Sequence, residues 1–253
     1  MTDTFIALSG GNRMIVLLSG EKRFIIDTSQ KTFNSEYGKV DLTKIKKYGQ
    51  KIKSSSGNTF IALKPALPDL FAKAKRGPQI VTQKDAGQIV AMTGAEQGWN
   101  CLDAGGGSGF LSLFICNIVK PGTVTAYERN KEFAGKISKN ARLFGLGNLK
   151  VRNKDILKGF SEKNLDLITL DMIDAEKLIK KCFSALKHGG WLCVYSPHIE
   201  QQIKCAKEME KLGMEMRTIE TMQREWKVDT RGFTHPRYMQ MAHTGFITVA
   251  RKI

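Results

Sequence analysis

From Gln79 onward, apolar strand-like runs alternate with amphipathic helical stretches, and this alternation limits the fold more than any other feature of the sequence. WNCLDA at 99–104 is a near-continuous apolar run followed by glycines, which is typical of a strand buried on both faces. FLSLFICNIV at 110–119 follows with helical periodicity. This order of elements predicts a parallel sheet flanked by helices.

The alternation continues to the end of the sequence. It predicts further strands at 123–129, 149–155, 165–171 and 189–197, helices at 131–144, 175–186 and 200–212, and two closing β-runs at 214–222 and 243–251. We therefore expect an α/β, Rossmann-like sheet of five parallel strands joined by crossover helices, closed by an antiparallel C-terminal pair.

Residues 1–75 show a different pattern. Short β-type runs such as MIVLLSG, KRFIID and NTFIALKP are broken by Gly, Ser and Asn, which predicts a small antiparallel β-rich domain. A chain of 253 residues with 42% apolar content can bury the core of one large domain and a small one. We predict two domains, 1–75 and 76–253.

Composition excludes several classes of protein. No apolar run approaches the roughly 20 residues that a membrane helix needs, and the N-terminus lacks the order of charges and apolar residues of a secretion signal. A cytoplasmic protein is expected. The five cysteines have no zinc-knuckle or redox spacing and are expected to be reduced and buried. The four histidines have no metal-ligand spacing, so no metal is predicted.

The charge balance points to a polyanionic partner. Forty Lys and Arg against 24 Asp and Glu give a net charge of +16, which favours nucleic acid or an anionic membrane surface, although a merely basic protein is the alternative. A basic group is predicted between the last two β-runs, where it suits a loop that grips phosphates, or else a solvated loop. Its members are Arg217, Arg224, Lys227, Arg231, His235, Arg237 and His243.

A glycine-rich turn follows the first strand of the α/β region. Asp103 begins the segment DAGGGSG, in which Gly105, Gly107 and Gly109 alternate, so that the backbone can approach a bulky ligand without Cβ obstruction. A dinucleotide fingerprint needs glycine where Phe110 stands. The D/E-x-G-x-G-x-G pattern therefore favours S-adenosylmethionine, the alternative being that the glycines only mark a turn.

Three acidic residues fall at the ends of consecutive predicted strands. Glu128 lies where a carboxylate accepts hydrogen bonds from both ribose hydroxyls, and Asp155 and Asp171 end the next two strands. Each by itself reads equally as a helix cap, a turn residue or a partner of a nearby cation. Together they predict a ligand site at the carboxyl edge of the sheet.

Four segments together carry a family resemblance: RGPQIVTQKDAGQIV (76–90), DAGGGSG (103–109), YERN (127–130) and HTGFITVARKI (243–253). With them the chain resembles the archaeal and bacterial tRNA (adenine-N1)-methyltransferases over nearly its whole length. The resemblance implies a class I methyltransferase sheet with a small N-terminal β domain. It also implies methylation of N1 of adenine in the T-loop of tRNA, at position 58 with 57 as a further candidate, by a homotetramer.

The resemblance also implies roles for single residues. Gly105, Gly107, Ser108 and Gly109 would hold the methionine end of S-adenosylmethionine, Glu128 its ribose and Asp155 its adenine amine. Gln79 and Asp85 match the segment that closes over the cofactor, although either suits a helix start. The full set expected to bind cofactor is Gln79, Asp103, Gly105, Gly107, Ser108, Gly109, Glu128, Asp155, Ile156 and Asp171.

Asp171 matches the catalytic residue beside the target adenine. Its carboxylate would accept a hydrogen bond from the exocyclic amine and so orient N1 toward the sulfonium methyl. A neutral N1 already carries a lone pair, so no strong base is required. The base must leave its tertiary pairing, and Tyr195, Phe233 and Tyr238 are candidates for stacking on it, with ordinary core or surface packing as the alternative.

One segment departs from the family. An Asp-Leu-Pro-x-Pro turn is usual after the catalytic aspartate, whereas this sequence runs Asp171-Met172-Ile173-Asp174, with Asp174 a candidate N-cap. The loss of both prolines puts the shape of the base pocket in question. Two alternatives therefore stay open: a non-catalytic or partner-dependent tRNA-binding subunit, and a methyltransferase acting on a protein or small molecule.

Overall fold

The computed structural model describes residues 14–77, 79–238 and 242–253. Contacts within the chain divide it into two compact units. One unit holds the described residues up to Lys75 together with Arg142–Gly145, and the other holds Arg76–Ala141 with Leu146–Ile253. The expected domain organisation, 1–75 and 76–253, stays a prediction.

The first unit contains short antiparallel strands. A four-stranded sheet has the order β2-β1-β6-β5, and β3 and β4 form a separate hairpin. Its core includes the fully buried side chains of Ile15, Leu17 and Phe60. The elements are β1 (Met14–Ser19), β2 (Lys22–Asp27), β3 (Thr32–Ser35), β4 (Gly38–Asp41), β5 (Lys51–Lys53), β6 (Thr59–Leu63) and α1 (Leu67–Lys73), with a 3-10 turn at Leu42–Lys44.

The second unit contains the large sheet. Its strands are β7 (Cys101–Ala104), β8 (Val124–Tyr127), β9 (Leu149–Arg152), β10 (Leu165–Leu170), β11 (Leu186–Ser196), β12 (Glu215–Glu220), β13 (Trp226–Lys227), β14 (His235–Pro236) and β15 (Phe246–Arg251). Its helices are α2 (Gln83–Thr93), α3 (Phe110–Ile118), α4 (Lys131–Phe144), α5 (Ile179–Ala185) and α6 (Ile199–Glu210), with 3-10 turns at Ile156–Lys158 and Ala175–Leu178. The C-terminal turn of α4 belongs to the first unit by its contacts.

The strand order of the large sheet is β12-β15-β11-β10-β7-β8-β9. Strands β7 to β11 run parallel, and β15 is antiparallel to both β11 and β12. This arrangement confirms the predicted Rossmann-like sheet with its antiparallel C-terminal pair. Every residue of β7 is buried, as its near-continuous apolar run predicted, and every residue of β8 is buried too.

The sheet reverses its order beside β7. From β7 the chain builds outward through β8 and β9 on one side and through β10 and β11 on the other. Ligands of open α/β sheets bind in the crevice beyond the carboxyl ends of the strands at such a reversal. The fold therefore places the residues that follow β7, β8 and β10 around one crevice.

Several predicted boundaries were wrong by a few residues. The strand predicted at 149–155 ends at Arg152, and Asp155 caps the 3-10 turn that follows. The helix predicted at 175–186 is divided into a 3-10 turn and the shorter α5. The strand predicted from 243 begins only at Phe246, and the side chains of His243 and Thr244 bond to Glu220 and Asp85. The short ribbon of β13 and β14 was not predicted.

Two expectations drawn from composition concern the described residues. No helix in these ranges is long and apolar enough to cross a membrane. All five cysteines are buried and unbridged, as expected from their spacing.

Candidate active site

A cavity of about 430 Å³ opens at the carboxyl ends of β7, β8 and β10. Its volume falls within the range of roughly 300–1,000 Å³ that is common for small-molecule sites. Nine of the ten residues predicted to bind cofactor, all except Gly109, lie in its wall. They are Gln79, Asp103, Gly105, Gly107, Ser108, Glu128, Asp155, Ile156 and Asp171. The crevice inferred from strand order is therefore an actual cavity.

The glycine turn after β7 needs glycine for two separate reasons. Gly105 has φ +83°, and a Cβ there would lie 1.9 Å from the carbonyl oxygen of Asp171, so no other residue fits. Gly107 has φ +52° but open space around the missing Cβ. Gly109, with φ +90°, starts α3 and packs against Ile137. The first and third glycines thus serve backbone packing, and the middle one leaves its side open to the cavity.

Glu128 lies directly after β8 and is buried. Its Oε2 accepts a hydrogen bond from the backbone N–H of Gly107 at 2.8 Å, and its Oε1 accepts one from the N–H of Asn130 at 2.7 Å. Each carboxylate oxygen has two lone pairs, so one acceptor position on each oxygen remains for a ligand. The same carboxylate therefore fixes the glycine turn and faces the cavity.

Asp103 is buried beneath this turn. Its carboxylate accepts hydrogen bonds from the hydroxyls of Ser112 and Thr169, the latter at 2.6 Å. Burial raises the pKa of Asp103, the two hydroxyls oppose this, and the nearby Glu128 carboxylate raises it further. Through these two hydroxyls Asp103 connects β7 to α3 and β10, and it also lines the cavity.

Asp171 follows β10 and is partly buried. Its backbone N–H donates to the carbonyl oxygen of Ala104 at 2.8 Å. Among the described residues, none donates a hydrogen bond to its carboxylate. Burial, together with the charges of Asp103 and Glu128, raises the pKa of Asp171 to about 7. An unpartnered carboxyl with this pKa in a cavity wall is available to a ligand.

Asp155 and Ile156 form another part of the wall. Asp155 caps the 3-10 turn, where its Oδ1 accepts from the N–H of Leu157 at 3.0 Å, and its second oxygen has no bond among the described residues. Ile156 is buried in the core. Asp155 therefore caps the 3-10 turn, as the alternative predicted, and also lines the cavity.

Ser108 provides a test of ligand fit. Its buried Oγ has no hydrogen-bond partner among the described residues, although its carbonyl oxygen accepts from Asn140 Nδ2 at 2.9 Å. A buried hydroxyl without a partner is costly unless a ligand or water satisfies it. Gln79, on the segment that precedes α2, is exposed and lines the same cavity. Both residues are placed to bond a polar ligand.

The turn after Asp171 forms the mouth of the cavity. Met172 and Asp174 are partly exposed, and Ile173 is 74% exposed. Gln201 Nε2 donates a hydrogen bond to the carbonyl oxygen of Met172. Asp174 stands at the N-cap position of the next 3-10 turn, as expected, but with φ +64° and no capping bond, and its carboxylate pairs with Lys177 at 3.1 Å. A left-handed Asp174 and a tethered Met172 shape this turn without proline.

Four of the residues considered in the sequence analysis do not line the cavity. Asp85 is fully buried in the first turn of α2, where a hydrogen-bond network holds it. Tyr195 is core, and its hydroxyl donates to the carbonyl oxygen of Thr244 at 2.8 Å. Phe233 and Tyr238 are exposed and lie outside the cavity wall. These positions agree with the alternative of core packing for Tyr195 and surface positions for Phe233 and Tyr238.

The predicted basic group is exposed except at His235, which is partly buried. Arg217 lies within β12, not in the loop. Arg231 pairs with Asp229, and Arg237 pairs with Glu225 at 3.2 Å. His243 contacts Glu220 Oε1 at 2.6 Å through Nδ1 and the carbonyl oxygen of Pro197 at 3.0 Å through Nε2. Part of the positive charge is therefore neutralised locally.

Several cavity residues escaped the sequence analysis. Asn130 caps α4, since its Oδ1 accepts from the N–H of Glu132 at 2.8 Å, and an Asn before an amphipathic run was a readable cap signal. The apolar wall carried no such signal, because its members repeat like ordinary helix and strand core. It consists of Ile80, Val81, Phe110, Leu111, Phe133, Leu157, Met172 and Ile173.

The cavity is acidic although the chain is strongly basic. Its wall holds five carboxyl groups but only two basic side chains, Arg129 and Lys154. Such a wall favours a cationic ligand over a pyrophosphate. S-adenosylmethionine, which carries a sulfonium and an ammonium group, fits this wall, the unsatisfied Ser108 hydroxyl and the free acceptor positions of Glu128. No three His, Cys, Asp or Glu side chains in the described ranges are arranged to hold a metal ion.

Comparison with known proteins agrees with this chemistry. The family described as "tRNA methyltransferase complex GCD14 subunit" matches residues 59–246. The chain is 31% identical to the tRNA (adenine(57)-N(1)/adenine(58)-N(1))-methyltransferase TrmI of Methanocaldococcus jannaschii over 91% of each chain. It is 28% identical to the tRNA (adenine(58)-N(1))-methyltransferase TrmI of Thermus thermophilus over 81% of each chain.

Solved structures give the same fold. The SAM-dependent O-methyltransferase of Thermotoga maritima is 31% identical, with a TM-score of 0.81 over 99% of this chain and 95% of that one. The tRNA (m1A58) methyltransferase TrmI of Aquifex aeolicus has a TM-score of 0.75 over 96% and 98%, at 23% identity. On the family match and the archaeal relative, this chain belongs to the family of S-adenosylmethionine-dependent tRNA (adenine-N1)-methyltransferases.

Proposed function

We propose that this protein transfers a methyl group from S-adenosylmethionine to N1 of an adenine in the T-loop of tRNA. Position 58 is the first candidate and position 57 the second, because the archaeal relative is named for both and the Thermus relative for 58. One observation carries the proposal: the unpartnered carboxyl of Asp171 shares a cavity with the glycine turn and Glu128.

The chain's own residues divide the work of holding the cofactor. The backbone of the turn around Gly107 and the unsatisfied hydroxyl of Ser108 would hold the methionine end, Glu128 would accept from the ribose hydroxyls, and Asp155 would accept from the adenine amine. Asp103, near the end of β7, would stabilise the start of the glycine turn through its bonds to Ser112 on α3 and Thr169 on β10. When bound, the cofactor supplies an electrophilic methyl group on a sulfonium.

Asp171 acts on the acceptor base. As a carboxylate it accepts a hydrogen bond from the exocyclic amine and so holds N1 in line for attack, which is mainly an effect of orientation. The ring becomes positively charged as N1 gains the methyl group, and the adjacent negative charge stabilises that product. The exposed side chain of Ile173 at the cavity mouth provides an apolar contact for the incoming base.

The tRNA partner and the oligomer are further parts of the proposal. The segment 222–243 between β12 and β15, which we term the basic excursion, carries exposed Arg224, Lys227 and Arg231 for phosphates. It also exposes large apolar side chains, and this supports self-association, with the homotetramer as the expected form. These are Met222, Trp226, Val228, Phe233 and Tyr238. A cytoplasmic location is expected from the tRNA substrate.

Two alternatives have specific support. The Thermotoga neighbour is described as an O-methyltransferase at the same 31% identity, which favours a different acceptor on the same fold. The proline-free turn after Asp171 favours a tRNA-binding subunit that needs a partner for catalysis. The acidic cavity argues for cofactor binding in every case.

The test is methyl transfer from labelled cofactor to an unmodified tRNA transcript, with identification of the product nucleoside. The wild type should form 1-methyladenosine, and Asp171→Ala should lose at least about a hundredfold in rate, since orientation and charge stabilisation are both removed. A transcript with uridine at position 58 separates that site from 57. A wild type that binds cofactor and tRNA but transfers nothing would overturn the proposal in favour of the partner-dependent subunit.

A further inference from the structure

A buried network at the start of α2 has no part in the function described so far. Asp85, with no exposed surface, accepts hydrogen bonds from the hydroxyls of Thr82 at 2.9 Å, Thr221 at 2.5 Å and Thr244 at 2.8 Å. The hydroxyl of Tyr195 approaches it at 3.4 Å. Burial raises the pKa of Asp85, but the hydrogen bonds outweigh this and the pKa is lowered. The group is therefore a buried anion.

Lys84 completes the network from the same helical turn. Its Nζ lies 2.6 Å from Asp85 Oδ1 and donates to the hydroxyl of Thr244 at 2.7 Å. It also lies 2.8 Å from both the hydroxyl and the carbonyl oxygen of Thr221. Each threonine hydroxyl thus accepts from the ammonium and donates to the carboxylate. Such a pair is stable in the interior only when these further bonds are made.

The two distant threonines occupy defined places. Thr221 directly follows β12, and Thr244 lies two residues before β15. They directly flank the basic excursion at its two ends. Both bond to the Lys84–Asp85 ion pair, although they lie 136 and 159 residues along the chain from Asp85. On the N-terminal side of this pair in the sequence, Ile80 and Val81 line the cavity just before α2.

We propose that Lys84 and Asp85 are positioning residues that clamp both ends of the basic excursion beside the cofactor cavity. The clamp fixes where the RNA-contacting segment leaves the sheet relative to the reacting centre. The expected effect of the clamp on catalysis rests on the proposed function, whereas its effect on the opening of the basic excursion does not.

A neighbouring contact supports the same reading. His243, the last residue of the excursion, lies 2.6 Å from Glu220 at the end of β12, through Nδ1 and Oε1, and its other ring nitrogen reaches the carbonyl oxygen of Pro197. Outside the excursion the threonine at position 82 bonds the same carboxylate from within the cap of α2. The chain thus offers a matched control: one hydroxyl on Asp85 that does not hold the excursion.

The experiment compares the double variant Thr221→Val, Thr244→Val with the single variant Thr82→Val. Hydrogen exchange of residues 222–243 is measured first. The double variant should exchange about tenfold faster there, the effect of losing hydrogen bonds to a charged group, and Thr82→Val should not. Replacement of both threonines by serine, which restores the hydroxyls, should return exchange to the wild-type rate.

The catalytic consequence is read from the tRNA kinetics of the same variants. For the double variant, kcat/KM for tRNA should fall about tenfold or more, while the Kd for S-adenosylmethionine stays within about twofold. Thr82→Val should change neither. A core role without positioning would make the loss in Thr82→Val as large as that in either single variant, Thr221→Val or Thr244→Val, and that result would overturn the proposal.

The two proposals fail separately. Unchanged exchange in 222–243 after loss of both hydroxyls overturns the clamp even if the wild type methylates tRNA. Faster exchange in a protein that transfers no methyl group to tRNA supports the clamp as a mechanical feature and overturns the proposed function. Faster exchange with unaltered tRNA kinetics overturns the catalytic role of the clamp.

Discussion

At the scale of single residues, the unusual group is Asp171. Most buried carboxyls in this sheet are bonded by hydroxyl or amide groups, as at Asp103 and Glu128. Asp171 has no such partner among the described residues, and its neighbours are themselves acidic. The protein thus keeps one carboxyl in an unfavourable environment inside its candidate active site, which is typical of groups held for function.

This environment predicts a pH dependence of activity. The proposed function requires the carboxylate form of Asp171 to accept from the adenine amine. With its pKa at about 7 in the free enzyme, kcat/KM should therefore rise about tenfold per pH unit up to about 7 and then level off. A cationic cofactor stabilises the carboxylate, so the kcat profile should bend at lower pH. Rates measured from pH 5.5 to 9 at saturating tRNA, under saturating and limiting S-adenosylmethionine, test this. A kcat/KM that does not change with pH would contradict it.

The same residue predicts a gain in stability when it is replaced. Since the folded state raises the pKa of Asp171 from 3.8 to about 7, the unfolded state is favoured as pH rises through this window. Asp171→Asn should therefore increase the free energy of unfolding by on the order of 1 kcal/mol at pH 8, and by less at pH 5. Urea denaturation at both pH values measures the difference. Glu162→Gln, at a carboxylate bonded by the Tyr127 hydroxyl, should show no such gain.

At the scale of elements, the short 3-10 turn after β9 combines two functions in one side chain. Asp155 caps this turn through the N–H of Leu157 and also lines the cavity. Asp155→Asn keeps an oxygen for the cap but replaces the second oxygen by an amide N–H₂, which cannot accept from an adenine amine. Asp155→Ala removes both.

We expect the two variants to separate stability from binding. Asp155→Asn should unfold like the wild type and Asp155→Ala should lose about 1 kcal/mol, the usual cost of a lost cap. Both should bind S-adenosylmethionine about tenfold more weakly, the effect of one hydrogen bond. Urea denaturation and calorimetric titration give the two quantities. Wild-type affinity in Asp155→Asn would show that Asp155 is only a cap.

The elements also show what the sequence can and cannot predict. The alternation of strands and helices placed Glu128, Asp155 and Asp171 at one edge, because parallel strands end on the same side of a sheet. The network of Asp85 could not be foreseen, since its partners lie 136 and 159 residues away. The basic excursion was taken as a loop because β13 and β14 have two residues each, too few for a visible period.

At the scale of the whole molecule, the net charge of the chain is opposite in sign to the charge of the cavity wall. The chain carries a net charge of +16, whereas the cavity wall has five carboxyls and two bases. A basic exterior attracts RNA over distances limited by salt screening. The acidic cavity then favours a cationic cofactor over the anionic nucleotides that the basic exterior also attracts.

Binding of tRNA should therefore depend steeply on salt. The logarithm of the binding constant should fall linearly with the logarithm of the salt concentration, and Arg224→Glu with Lys227→Glu should reduce the slope by about 2. The control is Lys180→Glu with Lys204→Glu, which changes net charge equally on the exposed faces of α5 and α6 and should leave the slope nearly unchanged. Anisotropy titrations from 50 to 300 mM salt provide the measurement, and equal slopes for both pairs would place the RNA surface elsewhere.

The close packing of Gly105 against the carbonyl oxygen of Asp171 limits which positions of this site can change when the methyl acceptor changes. That packing leaves no room for a side chain at position 105, the N–H of Asp171 donates to the carbonyl oxygen of Ala104, and Gln201 holds the carbonyl of Met172. Ile173 is 74% exposed, whereas Lys177 holds Asp174 through both its carbonyl oxygen and its carboxylate. Acceptor preference is therefore free to drift at Ile173 while the donor half of the site stays under constraint. Saturation mutagenesis for new methyl acceptors is best directed at that position.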